Sequence, residues 1–217
     1  MLNRKEILRY MNAPGGEAAL GTLIDRAEEE IINASRPKHV YSRVTVDVDK
    51  EKGQVVLAGT LIQSRDLAMH LQSCFEGFLF ASTLGPGVDI LVKRYTITET
   101  PMLPVIQAVS AAYTEFCADN AQKDLEIYAT AHEQYLRPRY SPGYGDFSLS
   151  YQRFLFDALE IPKKLGVSLT ESFLMVPFKS ITAVIGLSSD PSLCHINKCM
   201  TCTAKNCPFR KDDIYNG

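Results

Sequence analysis

The chain has 217 residues, 46% of them hydrophobic and 22% charged, a balance suited to a soluble globular protein with its own buried core. A formal net charge of −2 leaves no electrostatic footprint for nucleic acid, and no apolar run is long enough to span a bilayer. The opening MLNRKEILRY carries charges throughout and lacks an apolar signal-peptide core, so the cytoplasm is the default location.

In chain order, the first 35 residues read as helix. Leu23, Ile24, Ala27, Ile31 and Ile32 fall on one face, with the glutamates at 28–30 on the solvated side. KHVYSRVTVDVDK (38–50) places Val40, Val44, Val46 and Val48 in alternation with polar residues, the pattern of a half-buried strand. Gly53 marks a turn into a partner strand at QVVLAG, and Ser64 is a good cap for a helix through Leu67 and Leu71.

FLFAST (78–83) suits a buried strand, broken by Leu-Gly-Pro-Gly before a helix with Val88, Leu91, Val92 and Tyr95 on one face. A strand, a glycine turn and a helix in that order can turn backbone N–H groups toward an anion, although the order is common where nothing binds. After Pro101 and Pro104 comes the longest helical stretch, with Val105, Val109, Ala112, Phe116, Leu125 and Tyr128, most of which read as core contacts. Glu115 reads as an ordinary polar residue of that helix.

The next segment, YLRPRYSPGYGD (135–146), is unusual for a connecting loop. Arg139 can hold a carboxylate or phosphate through two parallel hydrogen bonds. Gly143 and Gly145 allow close backbone approach, and Tyr140 and Tyr144 offer ring faces to a base or a cation. Such a set suits a zwitterionic or nucleoside-like small molecule, and it equally suits a rigid turn whose arginines stack on tyrosines. Beyond it, 148–167 reads as a short helix and a second turn, and 169–189 as two strands interrupted at Pro177. The fold class expected is α+β, a mostly antiparallel sheet with flanking helices.

Cys74 and Cys117 lie in apolar segments and read as core thiols; His39, His70 and His132 read as structural or exposed. Cys194, Cys199, Cys202 and Cys207 crowd the end of the chain in a Cys-x4-Cys-x2-Cys-x4-Cys-Pro arrangement. In a cytosolic protein this favours a metal over disulfides, either an iron–sulfur cluster or zinc, with an unmetallated tail as the alternative.

Three ordered blocks over roughly residues 75–190 resemble the S-adenosylmethionine-binding activation (reactivation) domain of cobalamin-dependent methionine synthase. RYSPGY supplies an arginine, three residues and Gly-Tyr through Arg139, Gly143 and Tyr144. LTESFLMVP resembles the family's Leu-Thr-Glu-Ser-Phe-x-Met-x-Pro segment, and FASTLGPGVDILVKRY its Phe-Ala-x-Thr-x-Gly-x-Gly-x-Asp segment followed by Lys-Arg-Tyr. Departures are Ser148, Leu149 and Ser150 in place of Pro-Asp-His, Arg153 in place of a lysine, and no match for the family's final tyrosine.

The resemblance implies that Arg139 binds the methionine carboxylate, that the backbone at Ser141 and Gly143 faces the adenosyl part with Tyr144 beside it, and that Glu133 is an acidic ligand contact. It implies a methyltransferase component: S-adenosylmethionine and one electron would return oxidised cobalamin on a partner to methylcobalamin, with no general base needed. The partner would be a cobalamin-binding methionine synthase or another corrinoid protein, and the electron donor a flavodoxin or ferredoxin. The expected organisation is an N-terminal α/β region (1–74), an activation-domain-like core (75–190) and a cysteine-rich tail (191–217). An activator of a different corrinoid methyltransferase with an iron–sulfur relay, and a non-catalytic zinc-stabilised interaction module, are the alternatives.

Overall fold

The computed structural model of the chain describes residues 2–13 and 15–191. Two helices open it, α1 (Arg4–Tyr10) and α2 (Glu17–Ala34), where one continuous helix was expected. The break has a local cause: Asn12 and Gly15 adopt left-handed backbone (φ 53° and 80°), which no right-handed helix can carry through.

The alternating valines form the long strand β1 (Lys38–Asp49), followed by β2 (Gln54–Leu57) and β3 (Thr60–Gln63). β3 was not foreseen, being four residues long and separated from β2 only by the Ala58–Gly59 turn, where both residues have positive φ. α3 (Arg65–His70) starts at the expected cap: Ser64 Oγ accepts from Leu67 N at 3.0 Å. β4 (Glu76–Thr83), α4 (Pro86–Thr98) and α5 (Leu103–Ala131) follow as read. β5 (Tyr135–Leu136) opens the arginine–tyrosine segment, and beyond it α6 (Gln152–Leu159), α7 (Ile161–Leu165), β6 (Ser168–Leu169), β7 (Met175–Val176) and β8 (Ser180–Ser188) complete the described chain. The segment expected as two strands is thus a two-residue hairpin ladder, β6 with β7, and then one long strand.

Six strands pair in the order β3-β2-β1-β4-β8-β5, every neighbour antiparallel, so the expected α+β class holds. Strand period sorts the side chains. Phe78, Phe80, Ile185 and Leu187 face α5, which meets them with Ala118, Ala121, Leu125 and Ala129. The small alanines let a long helix lie close along the strands. Leu79, Ala81 and Val184 point the other way into a core shared with Leu67, Phe156 and Leu165. A third cluster joins α1, α2 and α4 to the first half of α5, with Ile24, Ile31, Val88, Tyr95, Ile106 and Val109 at its centre. Glu30 is more than solvated here: it accepts from Tyr95 Oη at 2.6 Å and ties α2 to α4.

The glycine turn before α4 serves packing. A Cβ on Gly87 would fall 2.0 Å from the Ala34 carbonyl oxygen, so the start of α4 lies on the last turn of α2 rather than open to an anion.

One contact outside the sheet fixes the arginine–tyrosine loop. Asp146 accepts from Arg65 N at 2.8 Å, from Asp66 N at 3.1 Å and from Ser64 Oγ, and its own N–H donates to Asp66 Oδ2 at 3.1 Å. The carboxylate therefore satisfies the orphan amides at the start of α3. Gly145 makes this approach possible: its φ is 52°, and a Cβ there would sit 2.0 Å from Asp66 Oδ2. Partial burial raises the Asp146 pKa, but the Ser64, Arg65 and Asp66 hydrogen bonds outweigh it and hold the carboxyl below its ordinary value. A depressed folded-state pKa contributes stability above the unfolded pKa, and that contribution is lost as pH falls through the folded one. Asp146→Ala is expected to cost about 1 kcal/mol near neutral pH, a modest figure because the group is exposed. Urea titrations of both proteins should show the difference vanishing as pH is lowered below the ordinary carboxylate range.

Candidate functional site

The site begins with how α5 ends. Glu133 takes a left-handed conformation (φ 55°), its N–H bonds to Thr130 O at 3.2 Å, and Gln134 N bonds to Ala129 O at 2.9 Å. This is a Schellman closure with glutamate where glycine is the usual residue. It reverses the chain, so residues 134–138 run back beside the helix that precedes them.

Helix and returning strand enclose a groove of about 270 Å³, walled by Gln122, Glu126 and Thr130 on α5 and by Tyr135, Leu136 and Pro138 opposite. It continues into a second hollow lined by Thr130, Glu133, Gln134 and Tyr135. β5 is the last strand of the sheet, so the groove runs along a sheet edge.

Arg139 is placed by a mismatch in strand pairing. Arg137 N bonds to Gly186 O at 2.8 Å, while Tyr140 and Val184 exchange two bonds at 2.9 and 2.8 Å. Between these anchors Pro138 and Arg139 oppose Ile185 alone, which is a β-bulge. The extra residue turns Arg139 toward α5. Its guanidinium donates to Gln122 Oε1 at 3.0 Å, Glu115 Oε2 at 2.9 Å and Asp119 Oδ1 at 2.6 Å. The Arg139 side chain is 16% exposed, against 45% for Glu115 and 66% for Asp119, so the acids reach inward from the surface to the arginine.

Tyr140 and Arg137 take the other face. The Tyr140 ring packs on His70 at 4.8 Å between centroids and on Phe147 at 6.3 Å. Burial, with the charges of Asp66 and Asp146, pushes its phenol up to about 12. Arg137 is 1% exposed and donates to Gln72 O at 3.0 Å; among the described residues its Nε and Nη1 have no partner.

The residues singled out from sequence are therefore split. Arg139 reaches the groove through Gln122, and Glu133 lines its outer end. Ser141, Gly143 and Tyr144 lie in the loop beyond Arg139 and are not part of the groove walls. Gly143 (φ 97°) donates to Phe147 O at 2.7 Å and Tyr144 N to Ser141 O at 3.2 Å, which closes the loop on itself, while the Tyr144 ring stays 58% exposed. Glu115, Asp119, Gln122 and Glu126 were not read as site residues. Their i, i+4, i+7, i+11 spacing is one stripe of a helix, and it was the available signal.

Cys194, Cys199, Cys202 and Cys207 lie outside the described residues. Among the described residues, no group of three or more His, Cys, Asp or Glu side chains could hold a metal. No described helix is long and apolar enough to cross a membrane.

Residues 105–210 match the family model described as vitamin B12 dependent methionine synthase, activation domain. The match takes in nearly all of α5, the groove and the loop. The fold is similar to that in a crystal structure of the MetH reactivation domain bound to AdoHcy, with a TM-score of 0.60 and 15% sequence identity over 81% of this chain and 67% of that one. No curated protein matches the chain. Over residues 105–210, just under half of its length, the chain is similar to the vitamin B12-dependent methionine synthase activation domain, and its fold over most of the length agrees with that likeness.

Proposed function

We propose that the groove between α5 and the returning strand binds S-adenosylmethionine, and that the chain serves the reductive reactivation of a cobalamin-dependent methionine synthase. The observation that carries this reading is the charge pattern: one arginine held by the carboxylates of Glu115 and Asp119, joined through Gln122 to a groove lined by Glu126 and Glu133. S-adenosylmethionine carries one carboxylate beside two positive groups, the ammonium and the sulfonium. Arg139 suits the first, and the acids suit the other two. The structural neighbour was solved with AdoHcy, the form left when S-adenosylmethionine gives up its methyl, which supports the same ligand class.

The chemistry asks little of the protein beyond placement. Cobalamin on the partner supplies the nucleophile once it has gained one electron, and the sulfonium supplies an activated methyl. This chain's residues fix the two charged ends of the methyl donor: Arg139 the carboxylate, Glu133 and Glu126 the cationic side. Ser141, Gly143 and Tyr144 then face the adenosyl part from the adjoining loop. No proton has to move, in keeping with a groove whose lining among the described residues has no histidine or cysteine.

The cysteine segment has a place in this reading. In sequence it follows Ser188, the last residue of β8, which pairs with Tyr135 of the groove wall. A metal centre held by Cys194, Cys199, Cys202 and Cys207 would serve as an electron relay if iron–sulfur and as a structural site if zinc. A flavodoxin or ferredoxin is the class of donor that could feed such a relay, and another corrinoid methyltransferase is the alternative client.

Three measurements check these statements. Arg139→Ala should weaken S-adenosylmethionine binding by about 10- to 100-fold in calorimetry, the loss of a charge-assisted pair, with Arg139→Lys intermediate; equal affinity in wild type and Arg139→Ala would remove the clamp. Glu133→Gly relieves a left-handed glutamate at the helix end and should raise stability by up to about 1 kcal/mol while weakening binding, a trade that a purely structural glutamate would not show. Anaerobically purified protein should contain iron with sulfide, or zinc, in an amount that Cys202→Ser reduces.

A further inference from the structure

The edge of the sheet away from the groove is incomplete. β2 covers the outer side of β1 only from Val46 to Asp49, leaving residues 38–45 paired on the β4 side alone. The direction of each backbone group follows from one bond: Val46 N donates to Phe75 O at 2.9 Å, toward β4. Antiparallel alternation then sends the N–H and C=O groups of His39, Tyr41, Arg43 and Thr45 outward. Among the described residues none of these outward groups has a backbone partner.

Such an edge is usually blunted by a proline, a bulge or an inward-pointing charge. Residues 39–45 have no proline, and the side chains facing the core, Val40, Ser42 and Val44, are uncharged. Val40 and Val44 are only half-buried, and Ser42 between them is exposed. On the other face Tyr41 and Arg43 are both well exposed, with Arg43 also paired to Glu76 at 2.5 Å.

We propose that a second copy of this chain covers the edge, its β1 pairing antiparallel with this one about a two-fold axis at Ser42. The sequence decides between possible axes. With the axis at Ser42, Val40 meets the partner's Val44 on the core side, and Tyr41 meets the partner's Arg43 on the outer side, an aliphatic pair and a cation–π pair each made twice. An axis at Tyr41 would set His39 against Arg43, and an axis at Arg43 would oppose two arginines. An axis at Val40 or Val44 would run past the uncovered residues 38–45 after fewer pairs, so of the three central axes the Ser42 axis alone avoids both clashes. It also leaves Ser42 facing its copy as a non-hydrogen-bonded pair, with 39–45 and 41–43 as the exchanging pairs. The joined sheets would be continuous, and the groove, three strands away beyond β4 and β8, would stay open.

Sedimentation velocity of the full chain at high micromolar concentration tests this. The wild type should be dimeric, and Ser42→Lys, which puts two ammonium groups together at the axis, should be monomeric with an unchanged circular dichroism spectrum and unchanged S-adenosylmethionine affinity. Ser42→Cys should form a disulfide with its copy under mild oxidation, since a non-hydrogen-bonded pair brings Cα atoms to about 4.5 Å; digestion and mass spectrometry should recover the 42–42 linked peptide. A monomeric wild type, a dimer that survives Ser42→Lys, or cross-links through other cysteines alone would overturn the proposal. These outcomes are independent of ligand binding in the groove.

Discussion

A difference of one residue between two strands orders the whole site. Between Arg137 and Tyr140 the returning strand spends two residues where β8 spends one, and the surplus turns Arg139 away from its neighbours in sequence. Without the bulge, residues 137 to 140 would alternate strictly, and Arg139 would share a face with Arg137 inside the core. With it, Arg137 and Tyr140 both pack inward, and Arg139 alone reaches α5. Pro138 suits this place, because it has no N–H to leave unpaired where the ladder is interrupted.

The bulge can hold this position because both of its flanks are anchored. On one side the helix-end turn at Glu133 fixes where the strand starts; on the other, Asp146 fastens the loop to the first amides of α3. Behind them lie cores on both faces of the sheet, so the strand edge cannot yield to either side. The helical layer of α1, α2 and α4 has its own cluster and touches only the first half of α5. The half of that helix that lines the groove is therefore buttressed by the sheet, and its first half by α1, α2 and α4.

Much of this was legible in the sequence, for identifiable reasons. The alternating valines of 40–48, the Ser64 cap and the proline-led start of α5 are local signals, and each produced the element expected. The motif RYSPGY located the loop and picked out Arg139. What escaped notice depends on contacts between distant segments. Glu115 looked like an ordinary surface acid because its partner lies 24 residues on and is brought near only by the reversal at Glu133. Gly145 was read as room for a ligand's approach and Asp146 as a loop residue, whereas both answer to Asp66 at the start of α3, a partner too distant in sequence to be anticipated. The turn before α4 was read as a possible anion cradle, while its glycine answers to the Ala34 backbone. Composition identifies residues capable of binding; which of them face one another is decided by the turns.

The two carboxylates on Arg139 have a consequence for selectivity. A bare guanidinium in a shallow groove would collect phosphate and any other abundant anion in solution. Glu115 and Asp119 act as a permanent internal occupant, tethered at an effective concentration that a simple anion cannot match. A newcomer displaces them only if it also offers positive charge for the released acids to rest on. Under the proposed function, the site thus selects a zwitterion over a simple anion before it reads any detail of shape. The exchange swaps one set of ion pairs for another, so its net electrostatic gain is small and such a ligand would be held reversibly.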